Sequence, residues 1–550
     1  MEDSQTYNSG NPRQNTSELA KIFGEFLKRK SHSCGEIIEA IAARLVAERN
    51  EGHSFITVDD KEIAALKENP FLCKGEEAFF VLEGNRLYLA REHRNELTLA
   101  RAIAQRLKSR PPENNFSDEQ IKSAFRKVNQ NQFEAVKNCL SSNFSIITGG
   151  PGTGKTTIIA ALTALEAERN PDILIAIAAP TGKAAELLTQ GLADSAHPVT
   201  AQTVHKLFHA RPGTGQFGKN AQSPLECDLL IVDECSMLSL DVATKMFSGL
   251  RPETRVVLSG DHRQLEAIGS GAVLSSLLTF RSDGTPEAGV LKSAGVELVE
   301  NHRAATAALI QSLAKDIREE QLSNEELCKK IISSAGEDYI FSTDKEFTAP
   351  VLAAAQKYWA QLPQIALNTG SADVEHAFAV LDSFRVVTAA RHGKEGCETL
   401  NSKILETLGI PSIHHPGSAL LITENCSRTG LANGDVGIVF EDKENRSVKV
   451  FIKGRPDRPL SLHDLPAHES AFAMTVHKAQ GSGFAEVFFP LPQKETPLLS
   501  RELFYTALTR ASKKITITGT ADMVLAALNN KSKRASALSE RILKELRYGI

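Results

Sequence analysis

From about residue 120 to the end of the chain, short apolar runs alternate with longer segments of helical period. The runs expected to be strands are Ser145–Thr148, Ile173–Ala179, Asp228–Val232, Arg255–Ser259 and Val296–Val299, then Phe384–Ala389, Ala485–Phe489 and Lys514–Thr518. Uninterrupted apolar strands need cover on both faces, and the helical segments between them supply it. That predicts an α/β protein with parallel sheets, built as two similar strand–helix blocks. Pro411 to Pro466 is richer in β-character, Gly and Pro and reads as a small inserted barrel. Residues 19–112 alternate helical patterns with one hairpin-like piece, FFVLEGNRLYLA, turning at Gly84-Asn85. Residues 1–18 are polar and expected to be disordered, and RPPENNFSDEQ, Arg110 to Gln120, reads as a linker. The turn-rich stretch Arg211 to Pro224 has to leave the first sheet and return to it.

One junction carries the chemistry. Gly149-Gly150-Pro151-Gly152-Thr153-Gly154-Lys155-Thr156-Thr157 follows a predicted strand and opens a predicted helix. This is the complete phosphate-loop pattern in the context it requires. Its glycines let successive backbone N–H groups turn onto phosphate oxygens, and the helix N-terminus adds partial positive charge. Lys155 is placed to reach the β- and γ-phosphates, and Thr156 to hold Mg²⁺. The site is expected to bind a nucleoside triphosphate.

Other strand ends add to it. LLIVDECSML ends in Asp233-Glu234, one carboxylate suited to Mg²⁺ and the next to polarising an attacking water. In VVLSGDHRQL, Gln264 can hydrogen-bond the γ-phosphate or that water. Upstream, Gln132 offers a donor and an acceptor together, which suits an adenine edge. Thr181 and Lys183 in APTGKAAE, Thr203 and His205 in TVHK, and Thr475 and His477 in AMTVHKAQGS combine hydroxyls, cations and flexible backbone. Such groups suit a phosphodiester backbone, although each alone is more often a helix cap.

Composition narrows the rest. The chain has 550 residues, 41% apolar and 24% charged, which fits about three or four globular domains. With a net charge of only −4, any nucleic-acid path has to be a local basic stripe. The last fifty residues are such an excess, ten Lys/Arg against four Asp/Glu, and read equally well as a path or as a solvated helix face. Eight cysteines form no C-x-x-C pair, which argues against a zinc ribbon or clustered iron–sulfur site and for buried thiols in a reducing compartment. The polar N-terminus is unlike a signal peptide and no run is long enough to cross a bilayer, so a cytoplasmic location is expected.

Taken together, TGGPGTGKTT, APTGKAAE, TVHKL, LLIVDECSML, GDHRQL, LANGDVGIV, AMTVHKAQGS and RELFYTALTRA resemble the superfamily 1 helicases, and among them the RecD family. GNRLYLAREHRNE and RHGKEGCETLN extend the likeness beyond the motor motifs. The resemblance implies two RecA-like motor domains, at 116–300 and at 301–410 with 467–550. It also implies an SH3-like insert at 411–466, a partner-docking domain at 19–112, and a short strand-separating pin at 211–224. It implies an ATP-dependent, 5′–3′ DNA helicase acting on single-stranded DNA and duplex ends beside RecB- and RecC-like subunits, with nuclease activity in a partner. Lys155, Glu234, Gln264, Arg303 and Arg510 inherit catalytic roles, the two arginines reaching the γ-phosphate across a cleft. Asp233 and Thr156 inherit the metal, Gln132 the adenine, and the three threonine-containing pairs the single strand. Two positions depart from the related S-Q-G-S-E-F motif: Ala479 lacks a hydroxyl that could touch DNA, and Gly483 lacks a carboxylate near the nucleotide. The rival readings are a stand-alone RecD-like helicase and an ATP-gated structural clamp on DNA. Intact Glu234, Gln264 and arginines favour hydrolysis over a clamp.

Overall fold

The computed structural model describes residues 12–73, 78–211, 213–278, 294–300, 307–343, 346–426, 428–443, 447–532 and 534–548. Two helices, Pro12–Lys30 and Gly35–Asn50, lead into a small antiparallel sheet of β1 (Phe55–Thr57), β2 (Phe80–Glu83) and β3 (Arg86–Leu89), ordered β1-β3-β2. The first helix thus takes in residues 12–18, expected to be unstructured. The β2–β3 hairpin turns at Gly84, whose φ of 61° is left-handed, a conformation glycine adopts without strain. Leu27, Ile38, Ile41, Leu72, Phe80 and Leu87 close a core of their own here.

The next helix, Ala90–Lys108, belongs elsewhere. Its buried Leu99, Ala100, Ile103 and Ala104 lie in one hydrophobic cluster with Phe144, Ile146, Val256 and Leu258 of the first large sheet. That sheet is wholly parallel. It comprises β4 (Phe144–Gly149), β5 (Ile175–Ala179), β6 (Gln202–Thr203), β7 (Leu229–Val232), β8 (Arg255–Gly260) and β9 (Gly295–Leu298), ordered β6-β5-β7-β8-β4-β9. All residues of β4 and β7 are buried, so helices cover both faces, as the unbroken apolar runs imply. The strands' carboxyl ends, where an open α/β sheet binds its ligands, therefore lie along one edge.

The second parallel sheet is ordered β10-β19-β18-β11-β17, from β10 (Tyr339–Ser342) and β11 (Phe384–Thr388) to the three strands that follow the insert. The insert itself is antiparallel: β12 (Ala419–Ile422), β13 (Val436–Asp442), β14 (Ser447–Ile452), β15 (Arg455–Ser461) and β16 (His468–Ser470) pair in the order β15-β14-β13-β12-β16. The chain then returns as β17 (Ala473–Thr475), β18 (Phe484–Pro490) and β19 (Ala511–Thr518). In the two parallel sheets, three strands, β6, β10 and β17, were not expected. They are two to four residues long, too short for a periodic signal, and take their shape from a neighbouring strand.

Part of the basic tail is tied into the rest of the molecule. Lys531 pairs with Glu320 at 2.5 Å, and the backbone N–H of Ser532 donates to Glu502, both in the second block. Two residues later Arg534 donates to the carbonyls of Ala267 and Gly269 and pairs with Glu266 at 2.9 Å, all in the first. Ala535 exchanges backbone and side-chain hydrogen bonds with His53 and Ser54 of the N-terminal unit. The last described helix, Leu538–Tyr548, lies along Ala90–Lys108, with Arg541 pairing both Glu83 and Glu96, and Arg86 pairing Glu540 through two hydrogen bonds. These arginines and this lysine pair with the protein's own carboxylates, while Lys513, Lys544 and Arg547 stay exposed. The cysteine expectation also needs correcting. All eight are free thiols, but Cys34 is exposed, and Cys73 and Cys426 are half-buried.

Candidate active site

The phosphate loop lies between β4 and the helix Lys155–Arg169, at the carboxyl edge of the first sheet. Gly152 and Gly154 have φ of 84° and 89°, which bends the loop tightly enough for its N–H groups to converge. Gly149 has no room for a side chain, since a Cβ there would lie 2.7 Å from the Thr153 hydroxyl. Thr153 is buried and donates to the Gly150 carbonyl at 2.9 Å, bracing the loop from within. Lys155 folds over it, Nζ donating to the carbonyls of Gly149 at 2.6 Å and Gly150 at 3.1 Å. A triphosphate would present better acceptors to the same ammonium. Thr156 is half-buried, Thr157 exposed, and Pro151 sits at the loop's crest.

Gln132 is buried at the start of the helix Gln130–Leu140. Its amide nitrogen donates to the Thr153 carbonyl at 3.2 Å, and its oxygen accepts from the Asn129 N–H in a reciprocal cap. The residue therefore couples the helix start to the loop. That is a more specific setting than the surface helix its sequence context alone would suggest.

Asp233 and Glu234 end β7. Asp233 accepts from the Ser259 hydroxyl at 2.7 Å. Glu234 has φ of 53°, a left-handed backbone that costs a non-glycine residue about 1–3 kcal/mol and turns it from the strand into the cleft. Desolvation there, with Asp233 beside it, pushes its carboxyl above the usual range, while Lys155 and Arg510 pull it back. Thr156 and Asp233 offer a hydroxyl and a carboxylate, hard oxygen donors of the kind Mg²⁺ takes.

A buried chain of polar groups then runs from one block to the other. Asp261, at the end of β8, accepts from Gln264 Nε2 at 3.1 Å and from the Tyr505 hydroxyl at 3.0 Å. The Gln264 carbonyl oxygen accepts from Arg510 Nη2 at 3.1 Å. Arg510 also donates to the Ser482 and Thr506 carbonyls, which fix its guanidinium in the cleft. Gln480 Nε2 donates to the Leu265 carbonyl at 2.7 Å, and the Leu265 N–H to the Thr506 hydroxyl at 3.0 Å. Asp261, Tyr505 and Gln480 are thus site residues that motif reading left unassigned. All three lie inside quoted motifs, so position within a motif was the available signal. Arg303 lies outside the described residues.

The residues expected to hold DNA fall at helix starts and strand ends of both blocks. Thr181 caps the helix Gly182–Leu192, and Lys183 pairs with Glu186 at 2.9 Å. Thr203 caps the short helix Val204–Leu207, and exposed His205 packs edge-on against Phe217. Thr475 ends β17, and half-buried His477 is two residues on. Thr181 comes within 3.4 Å of where a side chain on Gly481 would begin, so the start of the helix Gly182–Leu192 meets the segment that follows His477. The insert's Asp435 approaches Gly182 equally closely. The described residues between 211 and 224 make tight turns, with Arg211 N–H donating to Gln216 O and Gly218 N–H to His209 O. At Gly483, among the described residues, only the Arg510 carbonyl comes within 4.0 Å of an added Cβ. Ala479 is fully buried, so a hydroxyl there would enter the core and not a DNA groove.

Two parallel sheets, one carrying a phosphate loop and the other an arginine wired to its glutamine, define a nucleotide-driven motor of the helicase class. Residues 132–270 match the AAA domain family and 470–518 the UvrD-like helicase C-terminal domain. The RecBCD enzyme subunit RecD of Mycolicibacterium smegmatis is 32% identical over 88% of this chain and 86% of its own length. That of Haemophilus influenzae is 29% identical over 78% and 74%. The ATP-dependent RecD2 DNA helicase of Deinococcus radiodurans is 28% identical over 88% of this chain and 62% of its own length. Among solved structures, Bacteroides Pif1 bound to single-stranded DNA aligns at a TM-score of 0.39 and 20% identity, covering 72% of this chain and 94% of that one. The chain belongs to the RecD family and is an ATP-dependent DNA helicase of recombination and repair.

Proposed function

We propose that this chain translocates 5′ to 3′ along single-stranded DNA as the RecD subunit of a heterotrimer with RecB- and RecC-like partners, entering at duplex ends and working in the cytoplasm. The observation that carries the motor reading is the hydrogen-bonded line Tyr505–Asp261–Gln264–Arg510, which spans the two sheets beside the phosphate loop. Lys155 holds the β- and γ-phosphates, Glu234 takes the proton of the attacking water, and Gln264 orients that water. Arg510, with Arg303, offsets the charge that develops on the γ-phosphate. Mg²⁺ bound at Thr156 and Asp233 would neutralise the phosphate oxygens. Because Gln264 touches Arg510 directly, loss of the γ-phosphate alters a contact between the two blocks. The grips at Thr181, Lys183, Thr203 and His205 on one block, and Thr475 and His477 on the other, then shift relative to each other. Opening duplex costs on average ~1.4 kcal/mol per base step, within reach of such a cycle.

The domains are read as 19–112 for partner docking, 116–300 and 301–410 with 467–550 as the motors, 411–466 as an SH3-like module, and 211–224 as a short pin. The test is unwinding of partial duplexes with a 5′ or a 3′ single-stranded tail, alone and after co-purification from the native cell. The 5′-tailed substrate should be unwound in an ATP-dependent way, with DNA affinity falling steeply as salt rises, since the grips hold phosphates. Preference for 3′ tails would overturn the polarity. Recovery without RecB- or RecC-like chains would favour the stand-alone helicase. ATP-gated binding without unwinding by the complete assembly would favour the clamp.

A further inference from the structure

Arg318 sits on the helix Ala308–Glu319, whose Ile310, Leu313, Ala314 and Ile317 are packed into the core of the second sheet. Its own side chain leaves that core and is 8% exposed. Among the described residues its polar contacts are weak: Nη2 to the Val299 carbonyl at 3.5 Å and a 3.9 Å approach to the neighbouring Glu319. A buried guanidinium carries five donors and costs several kcal/mol to desolvate unless an anion meets it. Nη1 points at the phosphate loop, 3.6 Å from where a Cβ on Gly150 would lie, with the Tyr505 hydroxyl at 3.0 Å and Asp261 at 4.0 Å from the same point. The Lys155 ammonium, which serves the β- and γ-phosphates, rests 3.1 Å from the Gly150 carbonyl. Gly150 therefore lies, with Gly149, beside the ammonium that serves the terminal phosphates. Glycine is needed there because the second block approaches so closely.

We propose that Arg318 is a further nucleotide contact of this motor, a cation from the second block that closes on the γ-phosphate and makes the cleft tell triphosphate from diphosphate. Its place differs from that of Arg510. Arg510 is held by Gln264, Ser482 and Thr506, and approaches from the glutamine side. Arg318 arrives beside Tyr505, on the side of Gly150. A cation in this position draws the helix Ala308–Glu319 onto the loop when the γ-phosphate is present and releases it when the phosphate leaves.

The inference rests on the ATP site described above, and the experiment separates the two. Fluorescent analogues of a non-hydrolysable triphosphate and of ADP are titrated into the full chain, its Lys155→Ala variant, and Arg318→Gln and Arg318→Lys. Lys155→Ala should weaken both nucleotides, and if the unaltered chain binds neither, the ATP-site reading itself fails. Arg318→Gln should weaken the triphosphate by about ten- to a hundredfold, the worth of a hydrogen bond to a charged group, with ADP unchanged. Arg318→Lys should recover part of the loss. Equal weakening of both nucleotides would show that the arginine only props the fold, and no change in either would show that it meets no phosphate; both results overturn the inference. If Arg318→Gln does not fold, as judged by its thermal melt, the same comparison is read from Arg318→Lys, where a smaller triphosphate-selective loss supports the inference and an equal or absent loss sinks it.

Discussion

Lys155 donates to two carbonyls of the loop it belongs to, so its ammonium is already positioned when nucleotide arrives. Lys155→Ala should leave the thermal melt nearly unchanged and abolish ATP hydrolysis and unwinding. Substantial turnover by a folded, pure variant would refute the assignment. Arg510 is bound to Gln264 and to two carbonyls, a fixed donor set aimed into the cleft. Arg510→Ala should retain nucleotide binding and lose roughly 10³-fold or more in DNA-stimulated turnover, as removal of an arginine finger does. Collapse of affinity with normal turnover of bound ATP would contradict that role. At this scale, legibility depended on whether a residue's neighbours in sequence are also its neighbours in space. Lys155 opens the helix after the phosphate loop, and Asp233 and Glu234 directly follow β7, places where the motif alone defines the geometry. Arg318 is a lone arginine on an amphipathic helix, and only folding brings it to Gly150.

Elements were legible where they were long or fully buried. The apolar runs within β4, β7 and β8 declare themselves because both faces are covered, so hydrophobic residues stand side by side instead of alternating with polar ones. β6 and β17 offer two and three residues, and their threonines are as consistent with a phosphate contact as with an edge pairing. The tail was ambiguous for another reason. Charge excess counts residues without their partners, and the partners of Arg534 and Arg541 lie hundreds of residues away. Arg541 is 8% exposed and pairs with Glu96, which is fully buried. Arg541→Ala would leave that buried carboxylate with the Ser536 hydroxyl and the Ala537 N–H but without its arginine, so the variant should lose about 3 kcal/mol by denaturant titration. A loss below about 0.5 kcal/mol, the range of ordinary surface substitutions, would show that the pair is not structural.

For the whole molecule, the division into a docking unit and a motor is less clean than the linker at Arg110 suggests. The helix Ala90–Lys108 precedes that linker, yet buries Leu99 and Ile103 in the core of the first parallel sheet and carries the last described helix on another face. A chain beginning at Phe116 would uncover that apolar surface. It should show a lowered melting temperature and a tendency to aggregate, before any question of partner binding arises. A chain that melts as the full protein does and keeps its ATPase would show instead that the helix is dispensable to the motor. The loss of a partner in such a truncation is informative only when the melt is intact.

The crossing at Asn529 to Arg534 sets a limit on the motor's stroke. The helix Ala521–Asn529 ends on the second sheet's side, and by Arg534 the chain is anchored on Ala267, Gly269 and Glu266 of the first. Five residue steps, at most about 3.5 Å each, can span no more than roughly 17 Å even when pulled straight. However far ATP release lets the cleft gape, the two sheets remain on a short leash at this corner. Their relative movement has to be a swing about it, small beside Arg534 and growing with distance from that corner.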